Sequence, residues 1–282
     1  MISSTDPTQA AVTAASSTTA RFAFTSFKSP LLRLPGELRN RIYEYAFATE
    51  TGIHFVNGIK PHFVAHGDGS TVEFNQLKYT CRQLYIETAG LEVQFNRVHL
   101  ISECHAPGPA GVFLEFIADC AVEKAHWFKD ITLRAQIDPD VDATTLPDPL
   151  LEQKNIIMLL GHFCRKHPLV RIEDTHEGLS VWATGSYSFF IGLFLNLVIR
   201  DRGLRSGSTA LISDHELSLV ADEEWLEDAS FTAAMNIPNL RFWSPDTTFT
   251  HNRFVEHMQD EAPSLDPQAC VTLVRDWFDN GI

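Results

Sequence analysis

Paired cysteines, long apolar runs and clustered positive charge are all missing from this 282-residue chain. Its five cysteines, Cys81, Cys104, Cys120, Cys164 and Cys270, stand singly, their number is odd, and no Cys-x-x-Cys occurs. Residues Met1–Ala20 are polar and lack the apolar stretch of a secretory leader. Free thiols in a reducing, intracellular compartment, cytoplasmic or nuclear, are therefore expected. The longest apolar run, Phe189–Ile199, is interrupted by Gly192 and Asn196. It is about half the roughly 20 residues of a membrane span, so it reads as a buried helix and no membrane association is expected. Lys and Arg number 22 against 36 Asp and Glu, a formal net charge of −14 with no basic run. Such a field repels phosphate backbones, so nucleic acid is not an expected partner.

Fingerprints of chemistry are equally scarce. There is no Walker loop, no Gly-x-Ser-x-Gly elbow and no dinucleotide signature. His176-Glu177 and His215-Glu216 each begin like a zinc-protease helix, but neither has a second His four positions after the first. Cys164 and His167 are three apart and could converge on a helix, whereas His162 and Cys164, two apart, could not; no second ligand pair is visible. Asp138, Asp140 and Asp142 have the opening spacing of a calcium loop, yet Ala143 and Pro149 occupy its glycine and glutamate positions. No catalytic residue, cofactor or metal is expected, and the chain reads as non-enzymatic.

What is present is a hydrophobic content of 44% with 20 Phe, enough for a substantial core. Residues 1–30, rich in Ser, Thr and Ala, read as a disordered tail. At Leu34 the texture changes. Pro35 suits a first helical turn. Leu38, Ile42, Tyr45 and Ala46 follow at i, i+4, i+7 and i+8, one apolar face that could be core or a docking surface. Asn57-Gly58 between Ile53–Val56 and Ile59–Val64 predicts a β-hairpin, because both turn residues tolerate positive φ. A long helix is expected over Glu73–Gln94, with Leu77, Cys81, Leu84, Thr88, Leu91 and Phe95 on its seam. Strands follow at Arg97–Ile101, Asp130–Arg134, Leu169–Ile172 and Leu240–Trp243. Helices are expected at Val112–Val122, Leu150–Lys166, Tyr187–Asp201, Asp222–Met235, Phe249–Gln259 and Gln268–Asp279. The fold class predicted is mixed α/β (α+β), strands backed by helices in irregular units. The spacing is too irregular for a leucine-rich repeat.

Two runs carry a motif: Leu34-Pro35-x-Glu37-Leu38-Arg39-Asn40-x-Ile42-Tyr43, then Cys81-Arg82-Gln83-x-x-x-Glu87. The first resembles the opening of an F-box. The pair together resembles the F-box-like or two-EXR domain proteins of filamentous fungi. The resemblance covers Leu31–Ile101 and implies an F-box-like helical module with an inserted β-hairpin (31–101), followed by an α/β region (102–282). It further implies a protein–protein interaction role, in which Leu34, Pro35, Glu37, Leu38 and Ile42 dock onto the Skp-type adaptor of a cullin ubiquitin ligase while the remainder holds a client. The alternative is a stand-alone scaffold whose helices are only structural. Beside the apolar seams, Arg39 or Arg82 is placed to meet Glu87 and set the register of the two helices.

Overall fold

The computed structural model describes residues 29–58, 60–65, 72–103, 108–136, 149–176, 179, 187–200, 237–246 and 248–282. Residues 1–28 of the tail expected over 1–30, the Asp138–Asp142 loop, His215-Glu216, Cys104 and the helix expected over Asp222–Met235 lie outside them, whereas Pro30 opens a short helix. Two compact units divide the chain, Met1–Ile42 and Tyr43–Ile282. The first contains α1 (Pro30–Arg33) and the opening of α2 (Gly36–Phe47). There the Pro35 carbonyl accepts from the amides of Leu38 and Arg39, so proline stands just before the helix and its missing N–H costs nothing. The Arg39 guanidinium donates from Nη1 to the Leu34 carbonyl at 2.6 Å.

The second unit is built on one six-stranded sheet of order β2-β1-β3-β4-β5-β6. Its strands are β1 (Ile53–Val56), β2 (His62–Ala65), β3 (Val98–Glu103), β4 (Asp130–Gln136), β5 (Arg171–Thr175) and β6 (Leu240–Trp243). The expected antiparallel pairing of β1 and β2 forms, but Val56 lies opposite His62, so residues 57–61 connect the strands in place of a two-residue Asn57-Gly58 turn, and Gly58 is not among the glycines with positive φ. Every other pairing is parallel. The fold is therefore mixed α/β. The strands of residues 31–101 and those of 102–282 share this sheet, and position 101 falls inside β3.

Strand order has a consequence for the two faces. Crossovers between parallel strands are right-handed, so strands laid down in chain order send each connection to the same side. Burial agrees. Ile53, Phe55, Val98, Leu100, Ile131, Leu133, Ile172, Leu240 and Phe242 are buried, and the residues between them are half-buried or exposed. On the covered side lie α5 (Gly108–Asp119), α6 (Pro149–Lys166), α7 (Tyr187–Arg200), α8 (His251–Glu261) and α9 (Pro267–Asn280). Aromatic rings fill that layer: Phe116 of α5 lies 4.7 Å from Phe55 and 5.6 Å from Phe63, centre to centre, and Phe113 lies 5.2 Å from Phe163. Further along, Phe189 of α7 stacks on Trp277 of α9 at 5.9 Å. Gly192 is required there, since a Cβ would sit 2.5 Å from the Trp277 ring.

The helix expected over Glu73–Gln94 is broken. In its place are a 3-10 turn at Leu77–Tyr79, α3 (Arg82–Thr88) and α4 (Leu91–Phe95). Cys81 is extended, and Gly90 takes φ of 91°. A side chain at Gly90 would press on Trp127 and Lys124, which stand 3.2 and 3.3 Å from its Cβ position. The Lys124 ammonium caps the break by donating to the Ala89 carbonyl at 2.6 Å. Helical periodicity alone does not register these tertiary contacts.

Candidate interaction site

Two apolar sets run along α2. Tyr43 and Phe47, four apart, are buried, whereas Leu38, Ile42 and Tyr45 are 47%, 40% and 81% exposed. Ala46 is exposed too. The stripe picked out by sequence spacing is thus the outer one, and the inner anchor is the aromatic pair. Of the other residues singled out for docking, Pro35 and Glu37 are exposed and Leu34 is half-buried.

The second motif run organises the inner side. The Tyr43 hydroxyl donates to Glu87 Oε2 at 2.7 Å, and Gln83 Nε2 donates to Glu87 Oε1 at 3.0 Å. The first contact joins the two motif runs; the second lies within α3 and holds the same carboxylate. Arg82 opens α3 and is exposed, as is Cys81. The Tyr43 contact is one that charge pairing did not anticipate, because a phenol carries no sign. Glu87→Ala should destabilise the protein by about 1–3 kcal/mol, the cost of leaving a buried hydroxyl without this acceptor. Urea unfolding of Glu87→Ala beside Tyr43→Phe checks it, and the double variant should lose less than the sum.

A further polar set supports this region and has no motif signature. Asn96, buried, donates to the carbonyls of Phe47 and Glu92 and accepts from the Thr49 amide at 2.7 Å. It ties the end of α2 to the end of α4. Buried Asn75 donates to the Thr88 carbonyl at 2.7 Å and to Glu92 Oε2 at 2.8 Å. Lys78 bridges Glu73 and lies 3.8 Å from Glu92. Partial burial works against it, but hydrogen bonds from Lys78 and Tyr79 hold the Glu73 carboxyl below its usual range. These are the arrangements that make buried polar groups tolerable. None presents a nucleophile beside a base.

The candidates for chemistry are placed elsewhere. Cys164 is wholly buried and its thiol is pushed up to about 12 by burial, which leaves it protonated and unreactive. The His167 ring lies 4.6 Å from that of Phe163, and burial lowers its pKa. The carbonyls of Cys164, His167 and Val170 all accept from Asn239 Nδ2, at 3.1, 3.2 and 2.6 Å, so this stretch is a helix end pinned beside β6. His176 is buried, its ring 5.7 Å from that of Phe242. Among the described residues no group of three or more His, Cys, Asp or Glu side chains is placed to hold a metal ion. No helix of the described residues is long and apolar enough to cross a membrane.

Compared with known proteins, the chain matches no family model, no curated protein and no solved structure.

Proposed function

We propose that this chain is a non-enzymatic protein–protein interaction protein, with an F-box-like α2 that docks onto the Skp-type adaptor of a cullin ubiquitin ligase. The observation that carries the reading is the exposed stripe of Leu38, Ile42 and Tyr45 on a helix anchored through Tyr43 and Phe47. A helix that already buries one apolar face and displays a second is suited to a groove on a partner. Leu38 and Ile42 lie on that outer stripe, with Pro35 and Glu37 exposed near the start of the same helix. The α/β region would hold the client. A stand-alone scaffold would instead need Leu34 and Ile42 wholly buried, and the 40% exposure of Ile42 favours docking.

Leu38→Asp with Ile42→Asp tests this. Because both side chains are exposed, stability should change by no more than about 0.5 kcal/mol per site. Co-purification of a Skp-type adaptor from proteasome-inhibited cells should be abolished. Absence of any such adaptor with the unaltered chain would remove the ligase reading.

A further inference from the structure

A parallel sheet is ordinarily covered on both faces. Here the face turned away from Ile131, Leu133, Ile172 and Phe242 carries polar and half-exposed side chains. The pairing register lays them out in rows. One runs His54, His99, Thr132, Glu173 and Arg241; the next includes Ile101, Arg134, Thr175 and Trp243. Arg134, Arg171 and Arg241, from three successive strands, are exposed.

These three guanidiniums are not equivalent. Arg171 stands 3.9 Å from Asp130, its register neighbour on β4. Arg134 and Arg241 make no hydrogen bond or ion pair among the described residues. Glu173 sits beside Arg241 in the register, yet no ion pair joins them among the described residues. In a chain of net charge −14, two exposed guanidiniums with no ion pair among the described residues offer positive charge on this face. Arginine's planar fork matches a carboxylate, so this is where an acidic group would be held.

Their separation narrows the partner. Arg134 and Arg241 lie two strands and one row apart, roughly 12 Å between Cα atoms at ordinary sheet spacings. An extended peptide covers that span in about four residues, and side chains four apart in a strand point the same way. At the β6 end of the sheet Arg241 also lines a cavity of about 490 Å³, together with Asn196 of α7 and Asp276, Trp277 and Asn280 of α9. Asp276 there accepts from Asn280 Nδ2 at 2.8 Å.

We infer that the β4–β6 end of the open sheet face binds an extended acidic segment of a partner protein, with two carboxylates about four residues apart seated on Arg134 and Arg241. This deepens the interaction reading above by naming the client surface and the chemistry it selects.

Fluorescence anisotropy of the full chain with a labelled extended peptide bearing two glutamates about four residues apart tests it, beside the same peptide with glutamines. The glutamate peptide should bind and the glutamine peptide should not. R134E/R241E should weaken binding by about ten-fold or more, R134Q/R241Q should weaken it too, and K166E, at the exposed end of α6, should leave it unchanged. Circular dichroism melts of each variant check folding, and the glutamine pair serves if the reversed pair does not fold. No binding of the glutamate peptide, equal binding of the glutamine peptide, or binding indifferent to both arginine pairs would overturn the inference. Leu38→Asp/Ile42→Asp should leave peptide binding intact, so failure of the adaptor reading is told apart from failure of this one.

Discussion

Phe113→Ala should lower the free energy of unfolding by about 3–5 kcal/mol, the largest single-site loss expected for this chain. Phe113 is wholly buried on α5 and its ring meets those of Phe163 on α6 and Phe128 just before β4, edge to face at 5.2 and 6.4 Å. Removing it deprives Phe163 and Phe128 of a shared partner and leaves a cavity between helices and sheet that rigid neighbours fill only in part. Denaturant unfolding should show a lower midpoint with little change in slope. Phe113→Leu, which keeps most of the volume, should recover over half of the loss. A loss below about 1 kcal/mol for the alanine variant would mean that this ring layer does not close the core as described.

Stability should also fall steeply on mild acidification, and His176 is the reason. Burial pushes its pKa from 6.5 down to about 4. Between those values the unfolded chain binds a proton that the folded chain refuses. The folded state is therefore favoured in full above pH about 6.5 and loses ground as pH falls towards 4, by roughly 3 kcal/mol in total. Carboxylates such as Glu73, held low, lose their contribution in the same direction but at lower pH. Urea unfolding of the parent and of His176→Gln from pH 7.5 to 5 separates the two. The difference between them should shift by about 2 kcal/mol across that window. A parallel dependence in both proteins would show that His176 does not control it.

Local pattern made much of the architecture legible. Leu240–Trp243 is a strand with the expected bounds, and α6, α7, α8 and α9 lie within two residues of the expected ends. The β1–β2 pairing around Asn57-Gly58 also forms, although residues 57–61 connect the strands and Gly58 does not take the positive φ that the turn signal called for. The Glu73–Gln94 helix is interrupted at extended Cys81 and at Gly90, which takes φ of 91° with Trp127 and Lys124 packed against it, and the apolar period runs through both positions unchanged. Asn96 and Asn239 escaped notice for a similar reason. Each serves carbonyls far away in the chain, Phe47 for one and Cys164 for the other.

The site was legible as a list of residues but not as a surface. Along α2, Leu38-Ile42-Tyr45 and Tyr43-Phe47 both satisfy helical spacing, so periodicity cannot say which set faces inward. Packing of Tyr43 and Phe47, and the hydrogen bond from Tyr43 to Glu87, decide it. The sheet repeats the lesson. Alternation in Asp130–Arg134 says that one face is apolar and the other polar. It cannot say that five strands run parallel in chain order, because pairing is a choice among distant segments, governed by handedness and burial. What the residues alone determined is the identity of most described elements outside Glu73–Gln94 and the two-sidedness of the strands. Only the tertiary structure decided that Leu38, Ile42 and Tyr45 are exposed on α2 and that the exposed Arg134 and Arg241 share one face of the sheet. Both depend on contacts between segments that no local pattern encodes.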